Sequence, residues 1–243
     1  MSRNNALKRE AKKQKDMPEE IKTSNVVEYE RNKNKLEALT FNQGRAISTA
    51  KHDSIVILTG HAGTGKTYLL SRVAGEIYRT HNDVKRIIMT RPNVEVGEKL
   101  GFLPGEMDEK FAPYMVPFQS GLIDEMGSNK FNNDMYKSLV PIPLGYMRGR
   151  TFDDAVILLD EAQNTTVEQM KMLITRIGTN ARLFISGDTK QSDLGRKRNG
   201  LEWLVTEIKR QGKTIEVIDF GMEDCVRSDE CKEMLDLIEN AEE

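Results

Sequence analysis

The sequence predicts an α/β protein built on a single parallel sheet covered by helices on both faces. Three observations carry that prediction. Five short runs of β-branched and aliphatic residues recur along the chain, amphipathic helical segments separate several of them, and a glycine-rich turn joins the first run directly to the first helix. Strand and helix in alternation require crossover connections, and crossovers place helices on the faces of a parallel sheet.

Taken in order, "SIVILTG" (54–60) and "RIIMT" (86–90) are apolar, short and bounded by polar residues, which suits buried strands. "AVILLD" (155–160), "RLFISGD" (182–188) and "TIEVIDF" (214–220) read the same way. Between the first two, Lys66–Arg79 opens at the glycine turn as a helix. Val167, Met170, Ile174 and Ile177 form an apolar stripe with Thr166 ahead as a cap. Leu201, Leu204, Val205 and Ile208 form another, with Gly212 just past its end. The stretch from about 92 to 150 is rich in Gly, Pro, Phe and Met without a clean period, and reads as an insertion packed beside the sheet. Near the end, Cys231, Met234, Leu235 and Ile238 recur at helical spacing, so the acidic segment over about 228–240 reads as a docked amphipathic helix. Residues 1–36 form a charged arm, flexible or transiently helical. Its first 20 residues hold six basic groups (Arg3, Lys8, Arg9, Lys12, Lys13, Lys15) against four acids, with too little apolar surface to fold alone. The remainder, 37–243, is expected to be one domain.

Bulk properties bound the answer. A chain of 243 residues suffices for one substantial core. The net charge of -2 offers no global argument for nucleic acid. No apolar stretch approaches the roughly 20 residues that span a bilayer, and no apolar run follows the N-terminal charges as a secretory signal would require. Cys225 and Cys231 match no usual zinc or redox spacing and read as reduced thiols. The expectation is a cytoplasmic protein without membrane contact.

The glycine turn is "GHAGTGKT" (60–67), which satisfies G-x-x-x-x-G-K-[ST] between a strand and a helix. Gly60, Gly63 and Gly65 let the backbone curl so that successive N–H groups face inward toward anionic oxygens. The helix N-terminus behind them adds partial positive charge. The whole span of Gly60, His61, Ala62, Gly63, Thr64, Gly65, Lys66 and Thr67 is therefore a candidate nucleotide-phosphate cradle. Lys66 can reach β- and γ-phosphates, and the Thr67 hydroxyl can ligate Mg2+. Such a site asks for a carboxylate elsewhere, and Asp160 ends a second buried run where it could hold Mg2+ through water. Glu161 follows it and can accept a proton from an attacking water or orient it. Alone, this acidic pair could be an ordinary polar strand end. Gln191, in "SGDTKQ" (186–191), has both donor and acceptor groups for a γ-phosphate and a water, or is a plain loop glutamine. Asp188 reads as a turn or supporting residue. Gln43 by spacing alone is an unremarkable surface glutamine.

Together "GHAGTGKT", "TRPNVEVGEKLGFLPGEMDEKFAPYM", "YMRGRTFDDAVILLDEAQNTT" and "FISGDTKQSDLGRKRNGL" resemble the PhoH family of P-loop ATPases, which is similar to the nucleotide-binding core of superfamily 1 helicases. The resemblance covers roughly residues 37 to 230. It implies a single RecA-like core that binds and hydrolyses ATP with Mg2+, with Glu161 as catalytic base, Gln191 as γ-phosphate sensor and Gln43 in the position of an adenine-reading glutamine. Superfamily 1 helicases carry two such cores around the ATP. Too little chain follows "TIEVIDF" for a second one, so the missing arginine is expected from a neighbouring subunit of a homo-oligomer such as a hexameric ring. Arg227, in "MEDCVRSDE", is the first candidate. Arg148 and Arg150 are alternatives, and they are also candidate nucleic-acid contacts. The ordinary alternative for each arginine is a surface salt bridge. The acidic C-terminal segment departs from the family's wording.

The implied partner is single-stranded nucleic acid, RNA ahead of DNA. Local support comes from the basic cluster of Lys190, Arg196, Lys197 and Arg198, and from Phe102, Phe111 and Tyr114, which could stack on bases or simply pack. Two other readings use the same cradle. A small-molecule phosphotransferase would need a hydroxyl acceptor and an arginine lid that the sequence does not clearly show. An ATP-gated assembly protein without turnover would have no use for Glu161.

Overall fold

A computed structural model describes residues 36–92, 115–189, 191–194 and 199–241. Outside the described residues lie the charged arm up to residue 35, residues 93–114 of the expected insertion with Phe102, Phe111 and Tyr114, and the basic group Lys190, Arg196, Lys197 and Arg198.

Among the described residues six strands form one sheet: β1 (Ile55–Gly60), β2 (Arg86–Thr90), β3 (Leu139–Pro141), β4 (Ala155–Leu159), β5 (Arg182–Ser186) and β6 (Glu216–Phe220). Their order is β3-β2-β4-β5-β1-β6, and every neighbouring pair is parallel. Five of them are the five apolar runs. β3 is not legible in the sequence, since it is three residues long and ends on Pro141. Proline cannot donate to a ladder and tolerates only an edge, which is where β3 lies, beside β2.

Seven α-helices are described: α1 (Phe41–His52), α2 (Lys66–Thr80), α3 (Val116–Met126), α4 (Ser128–Asp134), α5 (Val167–Ile174), α6 (Gly200–Arg210) and α7 (Asp229–Ala241). Thr166 caps α5 as expected, in a reciprocal pair with Gln169. α1 escapes sequence reading because it buries only Gln43, Ala46 and Ala50, a stripe too thin to register. Its start is set by Thr40, whose hydroxyl accepts from the Gln43 N–H. α7 forms where expected, but Met234, assigned to its docked stripe, is 58% exposed. Helical spacing reports a helix and not the surface it meets. The side chains of Leu235 and Ile238 lie outside the described residues.

Strand side chains alternate between faces. Ile88, Ile157, Leu159, Leu183, Ile185 and Ile57 form a core with Met170 and Leu173 of α5 and with Leu201 and Ile208 of α6. The intervening residues, among them Val56, Leu58, Met89, Val156 and Phe184, are equally buried. On that second face α2 lies against β2, β4 and β5, and α1 against β1 and β6. Helices thus cover both faces, and all five residues of β4 are buried, as a central parallel strand demands. α3 crosses α2 at Gly121, where a Cβ would stand 2.7 Å from the Tyr68 carbonyl oxygen. A buried Arg72–Glu125 ion pair at 3.3 Å ties the same two helices. No helix among the described residues is long and apolar enough to cross a membrane.

Candidate functional site

In an open parallel sheet the carboxyl ends of the strands face the ligand crevice. β1 runs at that end into the 60–67 loop. Gly60, Gly63 and Gly65 take φ of 112°, 76° and 83°, a region that costs a side chain and not glycine. At Gly60 the neighbouring chain also forbids a Cβ, which would lie 2.0 Å from the Phe220 carbonyl oxygen. α2 begins immediately after the loop, so its first N–H groups and Lys66 share the cradle. The Lys66 ammonium donates to the carbonyls of Gly60 at 2.7 Å and His61 at 2.6 Å. Burial lowers its pKa below the usual 10.5, and the charges of Asp188, Asp160 and Glu161 oppose that shift.

β4 delivers the carboxylates to the same place. The Thr67 hydroxyl donates to Asp160 Oδ1 at 2.6 Å, and the Ser186 hydroxyl donates to the same oxygen at 2.9 Å. Asp160 is itself buried, and its N–H bonds the Thr90 carbonyl at the end of β2. Glu161 turns the chain through a left-handed conformation, φ 53° and ψ 41°. Gln163 Nε2 donates to Glu161 Oε2 at 2.5 Å, while Gln163 Oε1 accepts from the Asp188 N–H at 3.0 Å. One glutamine thereby ties the acidic strand end to the turn after β5. Arg91 reaches both acids, with Nε 3.4 Å from Asp160 Oδ2 and Nη2 3.1 Å from Glu161 Oε1.

Lys66, Thr67, Asp160, Glu161, Gln163 and Asp188 line a cleft of about 530 Å3 that also contains Gln191 and Arg227. Lys66, Thr67, Asp160, Glu161, Gln191 and Arg227 therefore share one space, although 161 positions separate the first from the last in the chain (227 - 66). Arg227 is expected from the sequence as a neighbour's contribution. Here it lies on the loop of its own chain: a Cβ at Gly63 would stand 2.8 Å from Arg227 Cγ, and the Val226 N–H donates to the Gly63 carbonyl at 3.2 Å. Arg148 and Arg150 are exposed and do not line the cleft; the Arg150 guanidinium lies 5.9 Å from the centre of the Phe152 ring. Gln43 is no surface residue. It is 3% exposed, donating to the Thr64 carbonyl at 3.1 Å and accepting from the Leu39 N–H at 2.8 Å, directly behind the loop. Buried Asp224 holds this arrangement by accepting from Thr40, from Asn42 at 2.8 Å and from the Gly221 N–H.

Sequence reasoning misses Arg91, Gln163 and Ser186. Arg91 has a usable signal, since it is the first residue past the carboxyl end of β2. Ser186 and Gln163 have none, because a serine ending a strand and a glutamine in a turn are commonplace. The donor set fits Mg2+. Thr67 and Asp160 are hard oxygen donors, and among the described residues no group of three or more His, Cys, Asp or Glu could hold a metal unaided. Mg2+ is usually bound in that way, by one or two protein oxygens completed by phosphates and water.

The profile of the family described as PhoH-like protein matches residues 35–239. The PhoH-like protein of Mycobacterium tuberculosis strain H37Rv is 43% identical over 206 residues, covering 84% of this chain and 58% of that protein. Protein PhoH of Escherichia coli K12 is 42% identical over 185 residues, covering 74% of this chain and 52% of its own length. The chain thus spans little more than half of these curated relatives. Among solved structures, the large terminase from a thermophilic bacteriophage aligns over 82% of this chain and 50% of its own, with a TM-score of 0.52 at 11% identity, a likeness of fold. A match over nearly the whole described core, together with relatives above 40% identity, places the chain in the PhoH-like protein family, on a P-loop NTPase fold.

Proposed function

We propose that the chain binds Mg2+ and ATP in this cleft and hydrolyses the ATP, and that as a homo-oligomer it couples turnover to single-stranded nucleic acid, RNA ahead of DNA. The observation that carries the hydrolytic part is the 2.6 Å bond between Thr67 and Asp160, with Glu161 next in the chain. It unites the phosphate loop and the acidic strand end in one site. In this reading the loop N–H groups and Lys66 take the phosphates. Thr67 and Asp160 hold Mg2+, which when bound neutralises developing phosphate charge. Glu161, kept in place by Gln163, accepts the water proton. Gln191 contacts the γ-phosphate, and Arg227 stabilises charge from the same chain. Gln43 keeps one N–H and one lone pair beyond its two bonds, enough to read an adenine edge.

The nucleic-acid part rests on family membership and on the turn following β3, which presents exposed Tyr146, Arg148 and Arg150 at the carboxyl edge of the sheet. The oligomer would bring a further cation to the open side of the cleft. Steady-state ATP hydrolysis by wild type and Glu161→Gln, with and without single-stranded RNA and DNA, tests the hydrolytic and nucleic-acid parts, and sedimentation velocity tests the oligomer. Wild type should turn over faster with RNA, and Glu161→Gln should lose about 10²–10⁴-fold while still binding a fluorescent ATP analogue. Absence of hydrolysis would remove the enzymatic reading. Indifference to both polymers would remove the nucleic-acid partner and leave an ATPase.

A further inference from the structure

Both functional carboxylates already face a cation of the chain itself. The Arg91 guanidinium sits 3.4 Å from Asp160 Oδ2 and 3.1 Å from Glu161 Oε1. Its placement is not a loose surface contact. The Arg91 carbonyl accepts from the Leu144 N–H at 3.4 Å, and the carbonyl of the preceding Thr90 accepts from the Asp160 N–H at 3.1 Å. Guanidinium and carboxylates therefore hang from one hydrogen-bonded frame at the ends of β2 and β4.

A divalent metal held at Thr67 and Asp160 would enter the same cluster of charges. On Asp160, Oδ1 takes the Thr67 and Ser186 hydroxyls, and Oδ2 faces Arg91. A hydroxyl can rotate and offer a lone pair to a metal in place of its proton. A guanidinium has only donors, stays charged at any relevant pH, and can neither ligate nor neutralise itself. Metal and arginine thus oppose one another through like charge across the same two carboxylates. A triphosphate arriving with the metal changes that balance, because its negative charge offsets the repulsion.

We propose that Arg91 is a counter-ion gate, which closes Asp160 and Glu161 to divalent metal in the nucleotide-free protein and yields only to metal that arrives with nucleotide. This rests on Asp160 and Glu161 being the metal and base residues of the proposed function. The gate makes metal binding conditional on ATP and keeps Glu161 engaged by Arg91 until both are present.

Mn2+ standing in for Mg2+, titrated by electron paramagnetic resonance, reads this without turnover. Wild type, Arg91→Met and Arg91→Lys are compared with and without a non-hydrolysable ATP analogue, with Asp160→Asn as control. Without nucleotide, Arg91→Met should bind Mn2+ about tenfold more tightly than wild type, with Arg91→Lys between them. With the analogue, all three should converge and Asp160→Asn should stay weak. If Arg91→Met and Arg91→Lys gain no nucleotide-free affinity while wild type still loads with the analogue, the gate is overturned and the metal site stands. If wild type does not take up Mn2+ even with the analogue, the metal-site reading falls and takes the gate with it. Thermal melts of each variant establish that the folded protein is being titrated.

Discussion

Replacing Glu161 by glycine should leave a more stable protein than replacing it by alanine, the reverse of the ordinary ranking. Glu161 sits at φ 53°, ψ 41°. Holding a residue with a Cβ there costs about 1–2 kcal/mol, a strain that glycine escapes. Glycine loses about 0.5–1 kcal/mol through the greater freedom of its unfolded chain. The difference, about 0–1.5 kcal/mol and centred on about 0.75 kcal/mol, favours glycine. It is a clean comparison because both variants lose the same bonds to Arg91 and Gln163. For a domain of this size each kcal/mol moves Tm by about 2–4 °C, so at the central value the glycine variant should melt about 1.5–3 °C above the alanine variant. Calorimetry at one pH, supported by urea denaturation, reads it, and neither variant should hydrolyse ATP. An alanine variant more stable than the glycine variant would mean that the backbone at 161 is not left-handed in solution. Backbone strain stored at Glu161, the proposed catalytic base, would then be ruled out.

Gly60→Ala should cost at least about 2–3 kcal/mol, because its Cβ meets backbone rather than a movable side chain; a urea midpoint unchanged from wild type would contradict the packing of the loop against β6. Among the described residues Thr90 Oγ1 is buried without a hydrogen-bond partner, so Thr90→Val should be neutral or stabilising by up to about 1–2 kcal/mol. A clear loss in the same denaturation assay would show that the hydroxyl is bonded in solution. Lys66 has a folded pKa below 10.5, chiefly from burial. Between its folded and unfolded pKa values the unfolded chain binds more protons, so its contribution to stability rises with pH across that window. Wild type should therefore gain stability relative to Lys66→Met as pH climbs toward 10.5, and a difference that stays flat or falls would reverse the assigned direction.

The strands and helices that bury continuous apolar surface are legible, since β1, β2, β4, β5 and β6 announce themselves by β-branched runs and α5 and α6 by their stripes. Elements whose stability comes from a neighbour are not. α1 carries almost no stripe, β3 is three residues at an edge, and α3 depends on the fit of Gly121 against α2. The site divides along the same line. Lys66, Thr67, Asp160 and Glu161 follow from local spacing, because a phosphate loop and a strand-end acid are each written in a few consecutive residues. Arg91 and Ser186 become part of the site only because β2 and β5 flank β4 in the sheet.

By itself the sequence determined the fold class, the phosphate loop and the acidic strand end, since each depends on short-range stereochemistry: β-branched runs, glycines free to adopt positive φ, and a polar stop after an apolar strand. Tertiary packing decided the rest. It brought Arg91 onto the acids, joined Gln163 to the turn at Asp188, buried Gln43 behind the loop, and laid Arg227 over Gly63 of its own chain. No local pattern encodes those contacts, because they arise where separate segments of the chain meet at the ends of the strands.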